Sequence, residues 1–397
     1  MLFFDLAKVR KKSNQILLQN GGIIKRQKDS YNVYGLLTLF NKQKKSNETM
    51  IGNSKYTKYV AAFVVLSLFS LSLSAQMGGT NSYSFLNLKR SAKTAALGMD
   101  FLPSITDDVG AALANPSTIS PINHNDVSIT YTNFFAGINQ AAIAFSQTKN
   151  RLGSFGVEFQ YLNYGRFDMT EENGDVVGKF TAADYAISLS WCKMLDSNVF
   201  IGASLKPLFC QYESYFSAAI AVDLALSYQS SDRTWAASLM ARNMGTQIVK
   251  FADKDESLPF ELQLSASKKL AHAPFVIYVG INNLQKWNIR EEDPLNPRDE
   301  TDLNGEVTEE NKFSGFADNL FRHIQIGAEF TPSKYFYLAL GYSWKQNREM
   351  QIEDAFSLAG LSYGFGINYR QFRLAYSRNE YHRYGSPNFI SLLVRLQ

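Results

Sequence analysis

The stretch Ile220-Ala221-Val222-Asp223-Leu224-Ala225-Leu226-Ser227-Tyr228 decides the fold of this chain. Bulky apolar residues hold the even positions and small or polar residues the odd ones. Alternation with period two belongs to a β-strand with two chemically different faces, because successive side chains point to opposite sides of a sheet. Upstream, Val127, Ile129 and Tyr131 alternate with Ser128, Thr130 and Thr132. Tyr185, Ile187, Leu189 and Trp191 alternate with Ala186, Ser188 and Ser190. Downstream, Ile324, Ile326, Ala328 and Phe330 alternate with Gln325, Gly327 and Glu329. The pattern predicts 14 strands, at about 126–133, 138–148, 153–165, 179–192, 198–211, 216–228, 234–244, 259–270, 274–287, 321–331, 335–346, 358–369, 371–381 and 387–396.

Many of these runs are twice the length of a typical soluble strand, which averages about five or six residues. Transmembrane strands need about 9–11 residues when tilted. The joins after the even-numbered strands are short, whereas several after the odd-numbered ones are long, the longest over about 288–320. Short turns on one rim, long loops on the other and an even strand count describe an outer-membrane barrel. No repeat of about 40–50 residues supports a propeller. The expected fold is therefore all-β, a 14-stranded antiparallel transmembrane barrel over 126–397. About eight strands fill their own lumen, while about sixteen leave a channel. The lumen expected here must be filled or used, and residues 76–125, which do not read as strand, are the candidate plug. Within them, 86–98 reads as a helix ending at Gly98, and Asp107 or Asp108 as the cap of a short helix before Pro116.

The segment Tyr59 to Ala75 is apolar, follows Lys55 and Lys58, and ends in small residues. It reads as a secretory signal peptide over 50–75, cleaved near Ala75. Met50 then becomes the expected initiator, and residues 1–49 a mis-assigned start or an extension. This changes the electrostatics. The full chain of 397 residues carries a net charge of +4. Residues 1–75 hold 12 Lys and Arg against 3 Asp and Glu, so 76–397 keep 28 basic and 33 acidic residues, a net −5. Nucleic acid thereby loses its electrostatic motive as a partner. Two cysteines, Cys192 and Cys210, exclude a disulfide scaffold and a thiolate zinc cluster. They sit too far apart along one hairpin to be bridged.

Chemical motifs are sparse. None of His124, His272, His323 and His382 forms a metal-binding pair, and no nucleophile elbow or phosphate loop stands in 76–397. No catalytic residue, metal or cofactor is expected. A Ser/His/Asp site would have to use His382, beside an outer loop, without an evident partner. In the acidic loop, Glu300, Asp302, Asn304 and Gly305 fall at the first, third, fifth and sixth positions of a calcium loop, but Asn311 stands twelfth, where a bidentate Glu is required. Together with Glu306, Glu309 and Glu310 these residues read as a solvated loop for a partner, or a weak calcium site.

Several segments carry a family resemblance: Tyr83-Ser84-Phe85-Leu86-Asn87-Leu88, Ala95-Ala96-Leu97-Gly98, Asp107-Asp108-Val109, Asn133-Phe134-Phe135-Ala136-Gly137-Ile138 and Leu258-Pro259-Phe260-Glu261. Over 76–397 the chain resembles the PorV/PorQ group of the Bacteroidetes type IX secretion system, which looks like a branch of the FadL-type barrels with an N-terminal hatch. Asn115-Pro116-Ser117 resembles the Asn-Pro-Ala hatch motif of that family, differing at the third position. The resemblance implies a non-enzymatic outer-membrane component in a Gram-negative, Bacteroidetes-type cell. It would anchor the attachment complex by holding PorZ beside the sortase-like PorU and PorV, where cargo is joined to lipopolysaccharide. The alternative it implies is a FadL-like transporter of hydrophobic small molecules.

Overall fold

The computed structural model describes residues 83–396 apart from 150, 252–255, 291–299, 302–306, 309–310, 351–356 and 383–384. The expected extension over 1–49 and the signal peptide over 50–75 lie outside the described residues.

Fourteen strands close into a barrel: β1 (Asp126–Asn133), β2 (Asn139–Lys149), β3 (Gly153–Thr170), β4 (Val176–Asp196), β5 (Val199–Tyr212), β6 (Tyr215–Gln229), β7 (Trp235–Val249), β8 (Glu261–Lys269), β9 (Phe275–Ile281), β10 (Ile324–Ser333), β11 (Phe336–Ser343), β12 (Leu361–Tyr369), β13 (Phe372–Asn379) and β14 (Asn388–Arg395). Each pairs antiparallel with its sequence neighbours. The seam is made by β1 and β14, in register from Asp126 opposite Arg395 to Asn133 opposite Asn388. In the longest connection, Glu300–Thr301 pairs separately with Val307–Thr308.

The alternation does the opposite of what it would do in a water-soluble barrel. In β6, Ala221, Asp223, Ala225 and Ser227 are buried, whereas Leu224, Leu226 and Tyr228 are 44%, 43% and 49% exposed. The same inversion holds around the wall: Ile129, Ile143, Phe159, Leu340 and Leu392 are exposed while Ser128, Glu158, Ser190 and Ser391 are buried. A greasy outside and a polar inside fit a hydrocarbon surround, where the closed ladder also leaves no unpaired backbone edge. No helix among the described residues is long and apolar enough to cross a membrane, so the strands do the crossing. The chain is an outer-membrane-type barrel.

The structure corrects several boundaries. β3 and β4 run to Thr170 and from Val176, past the expected ends, and meet at a tight tip where Gly174 has φ +88°. β9 stops at Ile281 rather than at 287, because Asn283 adopts φ +56° and turns the chain out of the sheet. The long loop contains helix α3 (Lys312–Arg322), where the sequence pattern predicts loop and the start of a strand. Its start is capped by Asn311, whose side chain accepts from Phe313 N at 3.0 Å. The expected tail of β11 is instead helix α4 (Trp344–Met350). Cys192 lies opposite Gly202 in the β4–β5 ladder.

Residues 83–125 occupy the lumen. They comprise a 3₁₀ turn at Ser84–Asn87, helix α1 (Ala92–Ala96), helix α2 (Val109–Ala114) and 3₁₀ turns at Pro116–Thr118 and Pro121–Asn123. The single helix expected over 86–98 is thus a 3₁₀ turn and a one-turn helix, although Gly98 does end it, at φ +65°. Asp108, not Asp107, caps α2: its Oδ1 accepts from Ala111 N at 3.0 Å. Its Oδ2 accepts from Ser91 Oγ at 3.0 Å, which ties the starts of α1 and α2 together.

The assignment of faces predicts an asymmetric response to substitution. Leu224→Arg should lower stability in vesicles by about 2–4 kcal/mol, the cost of a cation facing lipid. Ala225→Ser on the lumen face should change it by less than about 1 kcal/mol. Urea unfolding of both variants in lipid vesicles checks this, and equal losses would mean the faces are reversed.

Candidate functional site

Asn115, Pro116 and Ser117 lie in the plug and are buried. Asn115 Nδ2 donates to Leu102 O and to Ser238 Oγ, each at 2.9 Å. Asn115 Oδ1 accepts from Ser117 Oγ at 2.7 Å and from Ser117 N at 3.2 Å. Ser117 Oγ lies 2.5 Å from Ser227 Oγ, which itself bonds Ser238 Oγ at 2.9 Å. Asn115 and Ser117 therefore form one network with two lumen-facing serines of β6 and β7, while Pro116 starts the 3₁₀ turn that presents them. The Ser117 hydroxyl thus reaches the wall.

That contact needs space. A Cβ on Gly202 of β5 would stand 2.2 Å from Ser117 N and 2.3 Å from Pro116 C. One on Gly341 of β11 would stand 2.1 Å from Leu97 C. These wall glycines let the plug backbone lie directly on the sheet. Cys192 lines the same contact, its thiol donating to Ser117 O at 3.3 Å. Both cysteines are free and buried.

Around this centre the plug is bound by charge. Arg90 Nη1 pairs with Glu158 Oε2 at 3.1 Å and Lys93 Nζ with Glu329 Oε1 at 3.2 Å. Arg242 Nη2 donates to Leu86 O at 3.0 Å, and Asp100 Oδ2 accepts from Asn282 Nδ2 at 2.6 Å. Arg373 grips Asp107 through both Nη atoms, one at 2.7 Å. Burial alone would raise the Asp107 carboxyl, but Arg373, aided by Lys93, holds it well below the usual carboxylate range. The latch therefore keeps its charge through neutral and mildly acid pH and is lost only as pH falls below that range. Removing one partner of a buried pair costs roughly 3–5 kcal/mol. Two such buried pairs, Arg90–Glu158 and Lys93–Glu329, together with the Arg373 grip on Asp107, hold the plug against the wall.

The outer rim carries an apolar cavity of about 360 Å³ lined by Phe135, Met350, Tyr381, His382 and Gly385. Beside it, Phe134 meets Phe389 edge-on with ring centroids 6.3 Å apart. Phe389 belongs to the buried apolar cluster of Leu97, Met99 and Leu102 in the plug with Tyr278 and Tyr337 in the wall. An apolar seam thus leads from rim to plug. His382 is part of this cavity, pairing its backbone with Gly385.

Asp302, Asn304, Glu306, Glu309 and Glu310 lie outside the described residues, and of Glu300 only the backbone is described, paired with Thr308. Among the described residues no group of three or more His, Cys, Asp or Glu is placed to hold a metal. Sequence reasoning missed the rim cavity, whose lining comes from three loops distant in the chain, and the role of Gly202, which is visible only once its facing residue is known.

No family model matches the chain, and no curated protein matches it significantly. Solved structures do align with it. The Ralstonia pickettii toluene transporter TbuX aligns at 10% identity and TM-score 0.48, covering 79% of this chain and 100% of its own. The Pseudomonas putida toluene transporter TodX aligns at 12% and 0.49, covering 78% and 98%. A Pseudomonas aeruginosa FadL homologue aligns at 8% and 0.42, covering 82% and 100%. The likeness is one of fold. It assigns no substrate to this chain.

Loss of the Gly202 contact tests the site. Gly202→Val should leave a closed barrel, seen as unchanged heat-modifiable migration, but push the plug off β5. Single-channel conductance in planar bilayers should then rise from near zero to a stable open level. A silent channel would show that the plug does not depend on that contact.

Proposed function

We propose that the protein is a non-enzymatic outer-membrane barrel that takes up small hydrophobic molecules at its outer rim. The observation carrying this reading is the apolar cavity lined by Phe135, Met350, Tyr381, His382 and Gly385. Its volume, about 360 Å³, falls in the range of small-ligand sites. The contact of Phe134 with Phe389 joins the rim beside that cavity to the packed apolar cluster of the plug, a route that side-chain movement would open to an apolar molecule. A fixed plug suits such a route, because a small ligand needs side-chain movement around it rather than its removal. Filling the cavity should abolish the effect: Gly385→Trp is expected to cut uptake of radiolabelled toluene by whole cells at least about tenfold, with barrel assembly unchanged. Uptake equal to the parent protein would overturn the reading.

A second reading rests on the rim's built surface. α3 and α4 are locked together over it by Asp318, which accepts from Arg322 Nε at 2.8 Å and forms ion pairs with Arg290 and Arg348, each with Nε at 3.2 Å. Such an ordered platform, in a chain resembling the PorV/PorQ group, favours an anchor that holds PorZ, PorU and a PorV-like protein at the cell surface, on outer-membrane lipid and lipopolysaccharide. Deleting residues 290–311 should leave the barrel assembled and weaken recovery of PorZ in an affinity pull-down from outer membranes. Undiminished recovery would remove that loop as the contact.

A further inference from the structure

The short-turn rim carries a charge that neither reading uses. Its six turns, 149–153, 196–199, 229–235, 269–275, 333–336 and 369–372, hold six Lys and Arg against two Asp. All of their residues but the neutral Asn150 are described. Short turns mark the periplasmic side of such a barrel. Three cations of this rim sit over exposed aromatic rings: Lys268 over Trp235 at 4.2 Å, Lys334 over Tyr335 at 5.1 Å and Arg370 over Tyr369 at 5.4 Å. Tyr369 ends a lipid-facing row that runs through Phe365 and Ile367. Such rings mark the edge of the hydrocarbon, so cations above them stand at headgroup level.

One part of this rim is a built site. A cavity of about 310 Å³ lies among the β10–β11 turn, the β12–β13 turn and the end of β14. Lys334, Arg370, Arg373 and Arg395 line it, with Asp107 the one carboxylate in the lining. Backbone groups tie the three pieces together. Asn368 N donates to Tyr335 O and Asn368 Nδ2 to Lys334 O, each at 2.8 Å, and Arg395 N donates to Gln371 O at 2.9 Å. Asp107 is taken by Arg373, and Arg395 by the buried Asp126 at 3.4 Å. Lys334 and Arg370, both exposed, pair with no carboxylate among the described residues, which leaves two positive charges in the lining. Leu396 and Gln397 add no acidic side chain, and a carboxylate at the chain's end would still leave the surplus positive. Arg370 also holds a left-handed turn position, φ +54°, where Gly or Asn costs less.

We propose that this cavity seats the headgroup phosphate of an anionic phospholipid from the periplasmic leaflet, between Lys334 and Arg370, with its acyl chains along the Tyr369 row of the wall. A guanidinium offers phosphate paired N–H donors, and Lys adds a point charge. Two cations beside a lipid-facing row match a ligand with an anionic head and an apolar tail. The proposal depends on neither functional reading above.

The test uses the full barrel in neutral detergent, with bound lipid counted by native mass spectrometry during titration with phosphatidylglycerol, phosphatidylcholine or inorganic phosphate. The parent protein should retain phosphatidylglycerol in preference to phosphatidylcholine. K334Q/R370Q should weaken that retention roughly thirtyfold, while K334R/R370K keeps most of it. K193Q/R233Q, which removes the same charge elsewhere on the rim, should leave it unchanged. Heat-modifiable migration confirms that every variant is folded. Equal retention of the two lipids by the parent, or equal retention of phosphatidylglycerol by the parent and K334Q/R370Q, would overturn the proposal. So would an equal loss in K193Q/R233Q, which would mean a diffuse charge effect. Inorganic phosphate binding as tightly as phosphatidylglycerol would also overturn it, and would make the cavity a free-anion site.

Discussion

A polar wall cannot face an empty or apolar interior. That constraint organises the molecule. Once the large apolar side chains of each strand are turned outward to lipid, Asp223, Glu158, Glu329, Lys206 and the serine rows must point inward. Fourteen strands make the lumen too wide for those side chains to close on one another alone. Buried polar and charged groups without partners are costly, so the lumen must hold either water or a polar insert. Residues 83–125 are that insert. Their buried Arg90 and Lys93 are matched to Glu158 and Glu329, and the half-exposed Asp107 to the buried Arg373.

The plug is therefore better seen as the second half of the barrel's polar core than as a lid placed over a pore. Its contacts combine ion pairs with close backbone approach at Gly202 and Gly341, and only two small apolar helices lie between. Ion pairs fix position because they are directional, and the glycines set the depth at which the plug rests. The rim cavity lies outside this core, in loops that the lumen does not constrain.

The strands were legible because lipid and lumen impose opposite chemistry at every other position. β1 was located to the residue, and the other strands to within a few positions at most ends. β3 and β7 run five residues past their expected ends, whereas Asn283 in a left-handed conformation ends β9 early, and α3 and α4 take the place of residues expected at the start of β10 and the end of β11. α3 escaped because its apolar residues stay exposed rather than packing a core, so it resembles the aromatic-rich ends of strands. Asn115, Pro116 and Ser117 could be picked out, but their network could not, since Ser227 and Ser238 lie more than a hundred residues away in sequence. The Asp318 cluster draws its arginines from three separate segments and leaves no linear signature.

Hydrogen exchange of the whole barrel in detergent, read by mass spectrometry, tests the central claim most directly. If the plug is half of one core, peptides covering α1, α2 and Asn115 to Ser117 will exchange as slowly as those of β1 and β6. Rapid exchange of those peptides beside protected strands would contradict it, and would describe a loose insert in a water-filled lumen.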